Sequence, residues 1–552
     1  MPLIQADTIL FNGSIWTCDD LQPMAEALAV FDGRILAVGS TADILQNYTS
    51  DDCIDLQGRR VLPGLHDSHM HLVGTGMFLM SIDLTGTTSI GELVERFRSS
   101  RQYCDRVEGF LIGRGFLHDE FYEKTMPTCK SLDAISHERP IVAVRACGHV
   151  LVCNSKVLEL AGVSKGFGQV DGGEIGYFSD GEPNGVFSER AMNLIYSLQP
   201  DPSEDEVREV IAIAASEILR SGVTTAHTND FDSNNYELLH RAYSAAMTAG
   251  NLRIRLNHQL LFEKPEDIAE FVKWRNEYAS TYNFDPEYFC YGPVKIMCDG
   301  SLGARTAAMR EPYADDPGNN GVAILNRGQM TAILREAYDH GFQLCGHAIG
   351  DLAISDLVEA IGEVVPPEKR QAARSRVIHA QITTPDILAR MRELSIHCDI
   401  QPPFVATDYI IVASRVGEKK AQTSYAWATM RRMGITTSGG SDSPVEDHNP
   451  FYGIYCAVTR QTSKGDPPSG WQPEERLSVE EALYLYTRDG AYAIGMEDVS
   501  GSLKPGYYAD FIVLDRDILN IPHEEIKNVR VCSTWVGGKK ATSIKEEQNA
   551  GV

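Results

Sequence analysis

Two histidines one residue apart open the chemistry. In Val61-Leu-Pro-Gly-Leu-His-Asp-Ser-His-Met-His71, an extended chain would point His69 and His71 to one face, about 7 Å apart. Two imidazoles so placed can share one cation, and the apolar stretch ahead of them, with Pro63-Gly64, reads as a buried strand that ends there. Three more groups follow short apolar runs: His347 in GFQLCGHAIGD, His379 in SRVIHAQ and Asp442 in ITTSGGSD. Divalent metals take neutral imidazole and carboxylate, and ligands spread over several parallel strands can meet only at one end of them. Each residue alone reads equally as a hydrogen-bonded core histidine or a capping aspartate. Together they point to a metal centre.

Lys295 is a sixth candidate. It interrupts the apolar strand in YGPVKIMCDGS, where an ammonium without a partner is costly and burial favours the neutral amine. A neutral amine can react with carbon dioxide to give a carbamate, an anion able to bridge two metals. The alternative is a salt bridge to Asp299 or another carboxylate.

The elements that would position these groups alternate between short apolar strands and helical patterns. Strand candidates are Val61–Leu65, Val223–His227, Ile254–His258, Val294–Met297, Gln343–His347, Arg376–His379, Ile396–Ile400 and Ile435–Ser438. Ser203/Glu206, Ser89/Glu92 and Ser478/Glu481 have capping-box spacing, and Gly222 stands where a helix would end. Eight such strands in order predict an α/β fold, a (β/α)8 TIM-type barrel over 61–499, with a doubly wound open sheet as the alternative. Between His71 and Val223 the chain is far longer than the 30 to 40 or so residues of an ordinary βα unit. That predicts a large insertion after the first barrel strand, a substrate-shaping subdomain over 84–200. Residues 1–60 and 500–545 are rich in strand patterns, with a tight-turn Asp32-Gly33, and predict a small β-sandwich domain built from both termini.

Composition narrows the classes. The 552 residues carry a net charge of −26 and are 43% hydrophobic and 23% charged: a globular protein, not a disordered or coiled-coil chain. The negative charge argues against nucleic-acid or anionic-membrane partners, both of which reward clustered Lys and Arg. The N-terminus lacks the pattern of a secretory signal, no apolar run spans a bilayer, and the 12 cysteines are scattered singly, as in a reduced, cytoplasmic enzyme.

The ordered set H-x-H, K, H, H, D, with VKIMCDGSLGARTAA, GHAIGD, HAQ and GGSDSPVEDHNPF, resembles the amidohydrolase superfamily of metal-dependent barrel hydrolases. More narrowly it resembles amidohydrolase family 3, which includes the N-substituted formamide deformylases. The likeness runs through nearly the whole chain. It implies a binuclear site: His69, His71 and Asp442 on one ion, His347 and His379 on the other, with carboxylated Lys295 and a hydroxide between them. Zinc is the first choice, although manganese, iron, cobalt and nickel tolerate such ligands. Asp442 would take the proton of the attacking water and pass it to the departing nitrogen. The resemblance departs at Ile378, where the family often has a Glu just before the HAQ histidine. His149, after the apolar run IVAVRAC, and Arg305 in SLGART are candidates for substrate contact; Arg305 could hold a substrate carboxylate bidentately. His227 either lines the pocket or packs in the core. The expected activity is hydrolysis of a non-peptide C–N bond in a small amide, formamide or cyclic amide. A barrel esterase or deaminase, or a non-catalytic regulatory or scaffold barrel, is the alternative. A homodimer, common in that superfamily, stays open.

Overall fold

The computed structural model describes residues 3–543 apart from 106–108, 146, 147, 149, 171, 172, 200, 201, 251 and 283. Eight strands form one parallel sheet in chain order: β1 (Leu65–Met70), β2 (Val223–Asp232), β3 (Arg255–Leu261), β4 (Phe289–Met297), β5 (Leu344–Ala348), β6 (Arg376–His379), β7 (His397–Ile400) and β8 (Thr436–Gly439). The sheet curls until its last strand reaches its first. At that seam the Asp442 N–H donates to the His69 carbonyl (2.8 Å) and the His71 N–H to the Ser443 carbonyl (2.8 Å). Helices Tyr236–Thr248, Pro265–Tyr278, Arg327–Asp339, Asp351–Val364, Pro385–Glu393 and Trp427–Arg432 fall between successive strands from β2 onward. The fold is a (β/α)8 barrel.

Local sequence accounts for these elements. Helix Asp351–Val364 buries Ile354, Leu357, Val358 and Ile361, the spacing of one helical face. It packs tightly on β5 because residue 346 is glycine: a Cβ there would lie 2.5 Å from Leu357. His347, the next residue, is thereby held on a strand that the helix covers closely. Ser478 caps its helix through a reciprocal capping box with Glu481, and Ser89 accepts from the Glu92 N–H, as their spacing predicts.

The first barrel strand is not where the apolar pattern puts it. Arg60–Pro63 pairs with Ser14–Trp16 and Phe511–Leu514 in a separate six-stranded sheet. The barrel strand starts only at Leu65 and runs through the polar residues HDSHM. Proline has no N–H for a ladder and Pro63-Gly64 breaks the run, while the polar side chains after it find partners inside the barrel. Tertiary hydrogen bonding here overrides apolar patterning.

Strands from both ends of the chain share sheets. The six-stranded sheet runs Lys539–Ser543, Val531–Val536, Phe511–Leu514, Arg60–Pro63, Ser14–Trp16, Met24–Ala25, and a four-stranded sheet holds Arg34–Gly39, Ala27–Phe31, Thr8–Phe11 and Asp52–Asp55. Leu10, Leu28, Val30 and Ile35 of the second meet Ile15, Val61, Phe511 and Trp535 of the first in one core. Asp32 (φ 48°) and Gly33 (φ 74°) make the tight turn between Ala27–Phe31 and Arg34–Gly39. These sheets and the barrel form one compact unit, and residues 76–206, between β1 and β2 in the chain, form another. The latter is built on a mixed six-stranded sheet, from Ile82–Asp83 through Leu111–Phe116, Ile141–Arg145, Val150–Cys153 and Pro183–Glu189 to Gly173–Tyr177. Among the described residues, no helix is long and apolar enough to cross a membrane.

Candidate metal centre

Ends of barrel strands bring the predicted ligands together. His69 lies within β1 and His71 just past it, and Asp442 comes three residues after β8. Nε2 of His69 and Nε2 of His71 each stand 3.3 Å from Asp442 Oδ1. Across the barrel, β4 contributes Lys295, β5 His347 and β6 His379. The His347 and His379 rings meet edge-on with centroids 4.5 Å apart, and His379 lies 5.7 Å from His69.

The outward nitrogens of His69, His71 and His379 are occupied. His71 Nδ1 lies 2.8 Å from the Asn229 carbonyl, which can only accept, so Nδ1 carries the hydrogen. His69 Nδ1 is 2.9 Å from Gln259 Oε1, and His379 Nδ1 is 2.7 Å from Gln401 Oε1. His347 Nδ1 faces Asp299 Oδ1 at 3.2 Å, but too poorly aligned to be a hydrogen bond. With hydrogen at Nδ1, the Nε2 lone pairs of His69 and His71 both face an Asp442 oxygen. Three such acceptor atoms within 4.8 Å of one another repel unless a cation lies among them. The donor set therefore fits a divalent metal, whose preference is for neutral imidazole and carboxylate.

Protonation states agree. Burial, reinforced by the Lys295 charge, pushes His69 down to about 4, and burial with the neighbouring His347 takes His379 well below the ordinary value. Burial opposes the Asp442 carboxylate, yet its pKa is held well below the usual range. Both histidines are thus neutral and the aspartate ionised near neutral pH.

Lys295 is 2% exposed and its Nζ sits 3.2 Å from His69 Nε2. Burial lowers its pKa. The Asp299 salt bridge weighed from the sequence does not form. Asp299 instead accepts the N–H groups of Ala308 (2.9 Å), Ile349 (3.1 Å) and Gly350 (2.8 Å) at the head of helix Asp351–Val364.

Two of the ligand candidates sit in left-handed backbone: His379 at φ 77° and Asp442 at φ 56°. Such conformations cost about 1–3 kcal/mol each and persist where surroundings over-determine them. Around Asp442 the surroundings are explicit. Asp67 accepts from the His69 N–H (3.1 Å), the Ser441 N–H (3.1 Å) and the Ser441 hydroxyl (2.6 Å). Gly440 passes so close that a Cβ would meet the His69 nitrogen at 2.7 Å.

The remaining sequence candidates are engaged in other contacts or lie outside the described residues. The Arg305 guanidinium is engaged by Asp315 through Nε (3.1 Å) and Nη2 (2.9 Å). His227 is wholly buried, with Nδ1 3.3 Å from Arg376 and its ring against His66, which is the packing reading. His149 lies outside the described residues. Sequence reasoning missed Asp67, Gln259 and Gln401. The last two carried a faint signal, a glutamine inside or directly after an apolar strand. A cavity of about 470 Å³ lined by Cys18, Arg431, Thr436, Arg488 and Lys504 opens at the N-terminal end of β8. None of the six ligand candidates lines it, and Arg431, Arg488 and Lys504 are each paired with acids.

Comparison with known proteins follows the same line. The profile of the amidohydrolase family matches residues 52–541. YtcJ of Bacillus subtilis (strain 168) is 32% identical over 96% of this chain and 98% of its own length. The N-substituted formamide deformylase of Arthrobacter pascens is 26% identical over 96% of this chain and 97% of its own. Among solved structures, an uncharacterized metal-dependent hydrolase from Pyrococcus furiosus superposes with a TM-score of 0.74 at 29% identity, covering 93% of this chain and all of that one.

Proposed function

The chain belongs to the amidohydrolase family, and from that premise we propose that it is a metal-dependent hydrolase opening a C–N bond other than a peptide bond, in a small amide, formamide or cyclic amide. The observation that carries this reading is the approach of His69 Nε2 and His71 Nε2 to one Asp442 oxygen, at 3.3 Å each. The likeness to a formamide deformylase and to a metal-dependent hydrolase supports it.

In this reading His69, His71 and Asp442 hold one divalent ion, His347 and His379 a second, with zinc the first choice for both. Lys295, an amine that burial favours as neutral, would add to carbon dioxide through Nζ with loss of a proton, and as a carbamate it would give the metal centre an anionic ligand. Bound divalent ions supply an ionised water near neutral pH and polarise the scissile carbonyl. The chain's own part in turnover is proton handling. Asp442 takes the second proton of the attacking water at Oδ2, the oxygen that the two imidazoles leave free. It returns that proton to the nitrogen as the C–N bond breaks, giving a carboxylate and an amine. The singly scattered cysteines favour a cytoplasmic setting.

The test is metal quantification of the purified protein, followed by turnover of a panel of N-formyl and N-acyl amines. Stoichiometric divalent metal with hydrolysis of at least one such amide is expected. Absence of bound metal from metal-replete protein, or ester or amidine turnover alone, overturns the proposal.

A further inference from the structure

The two glutamines behind the histidines have fixed amide orientations. Gln259 Nε2 lies 3.2 Å from the Ser68 carbonyl and Gln401 Nε2 lies 3.1 Å from the Asp399 carbonyl. A carbonyl only accepts, so the NH2 end of each amide must face it, and Oε1 must face the imidazole. That oxygen also only accepts, so Nδ1 of His69 and of His379 must carry the hydrogen. Each ring is left with its lone pair on Nε2. Both amides are shielded from water, Gln259 fully buried and Gln401 3% exposed, so solvent does not compete for either contact.

The acceptors are also alike in charge. His69 and His379 donate to neutral amides and His71 to a backbone carbonyl, whereas only His347 faces a carboxylate. Residue 378, just before His379, is isoleucine, and the acceptor at His379 Nδ1 is Gln401, directly after β7.

We propose that Gln259 and Gln401 are positioning residues that set the ring orientation and tautomer of His69 and His379 and present Nε2 of each to a divalent ion. The proposal rests on the reading above that these histidines are metal ligands. A neutral acceptor polarises the ring less than a carboxylate does, so the pair keeps the ligands correctly turned but of moderate donor strength.

Charge makes the role testable. Zinc affinity is measured by chelator competition on the full chain for wild type, Gln259→Met, Gln401→Met, Gln259→Glu and Gln401→Glu, with circular dichroism of the metal-free proteins as the folding control. The Met variants, close in volume but without an acceptor, are expected to bind zinc about 10- to 100-fold more weakly. The Glu variants keep the acceptor and add charge, and are expected to bind more tightly than wild type. If folded Met variants bind like wild type, or Glu and Met variants weaken binding alike, the assignment is overturned while the metal reading stands. If wild type itself takes up no zinc, the metal reading fails and this inference with it. Should a Glu variant not fold, histidine ¹⁵N spectra of the metal-free Met variants decide: mixed tautomers support the assignment, and an unchanged Nδ1–H form overturns it.

Discussion

Asp442 divides its two oxygens between tasks. Oδ1 is met by two imidazole nitrogens, and Oδ2 makes no hydrogen bond among the described residues. Replacing Asp442 by Asn retains a ligand oxygen but removes the base. Turnover is expected to fall by at least about 10²–10⁴-fold while metal content, measured on the same preparation, stays near that of wild type. Persistent turnover would remove the proton-transfer role. Lys295→Ala is expected to lose metal and activity together and to recover part of both in millimolar acetate or propionate; unchanged metal content would reject the carbamate. The six ligand candidates stand out in the sequence because imidazole, amine and carboxylate at strand ends are few and chemically distinctive. The pairing of Arg305 with Asp315 is not something that sequence alone reveals. Gln259 and Gln401 escaped notice for a related reason: an amide that orients a ligand looks like any other polar residue until its distance to the ring is known.

Among the elements, the seam between β1 and β8 matters most. Asp67 alone accepts three hydrogens there, from His69 N and from Ser441 N and Oγ. Asp67→Ala would leave those buried donors without an acceptor, at about 1–3 kcal/mol for each. A loss of at least about 3 kcal/mol in urea unfolding is expected, together with weaker zinc binding. Loss of stability with unaltered zinc affinity would mean that the seam does not position the ligands. Gly440→Ala is expected to act in the same direction, because its Cβ would press on the His69 backbone. Strand reading from apolar runs worked well where the strand is apolar: β6 has the predicted bounds, Arg376–His379, and β5, β7 and β8 start within a residue of theirs. It failed at β1, which reads LHDSHM instead of an aliphatic stripe. His66 is bonded to Ser500 and Gln259 reaches the Ser68 carbonyl; partners so distant in sequence leave no local pattern.

For the molecule as a whole, buried imidazoles dominate the response to acid. Burial lowers His66, His69 and His240 to about 4 and holds His227, His258 and His379 well below the ordinary value. In the unfolded chain these rings titrate near 6.5. Below that value the unfolded state binds protons that the native state refuses, so native stability falls as pH drops from 6.5 toward 4. Each ring brought to about 4 contributes of order 3 kcal/mol. Asp67, Asp408 and Glu446, which burial raises to about 7, 6 and 8, and Asp230, Asp356 and Asp489, likewise raised by burial, act with the opposite sign and offset part of that loss. The urea midpoint of the metal-free protein is therefore expected to decline steadily over that interval, and a flat profile would contradict the buried, neutral state of these histidines.

Barrel closure has a further consequence for how the protein comes into being. Asp67 and Ser441 are 374 residues apart in the chain, and the contact between them brings Asp442 to His69 and His71. During synthesis β1 leaves the ribosome long before its partner exists, and loop closure over such a distance comes late. The three-ligand pocket is among the last features to assemble, so an ion there latches a finished protein and cannot seed a growing one. A nascent chain stalled before β8 has the two histidines but no pocket.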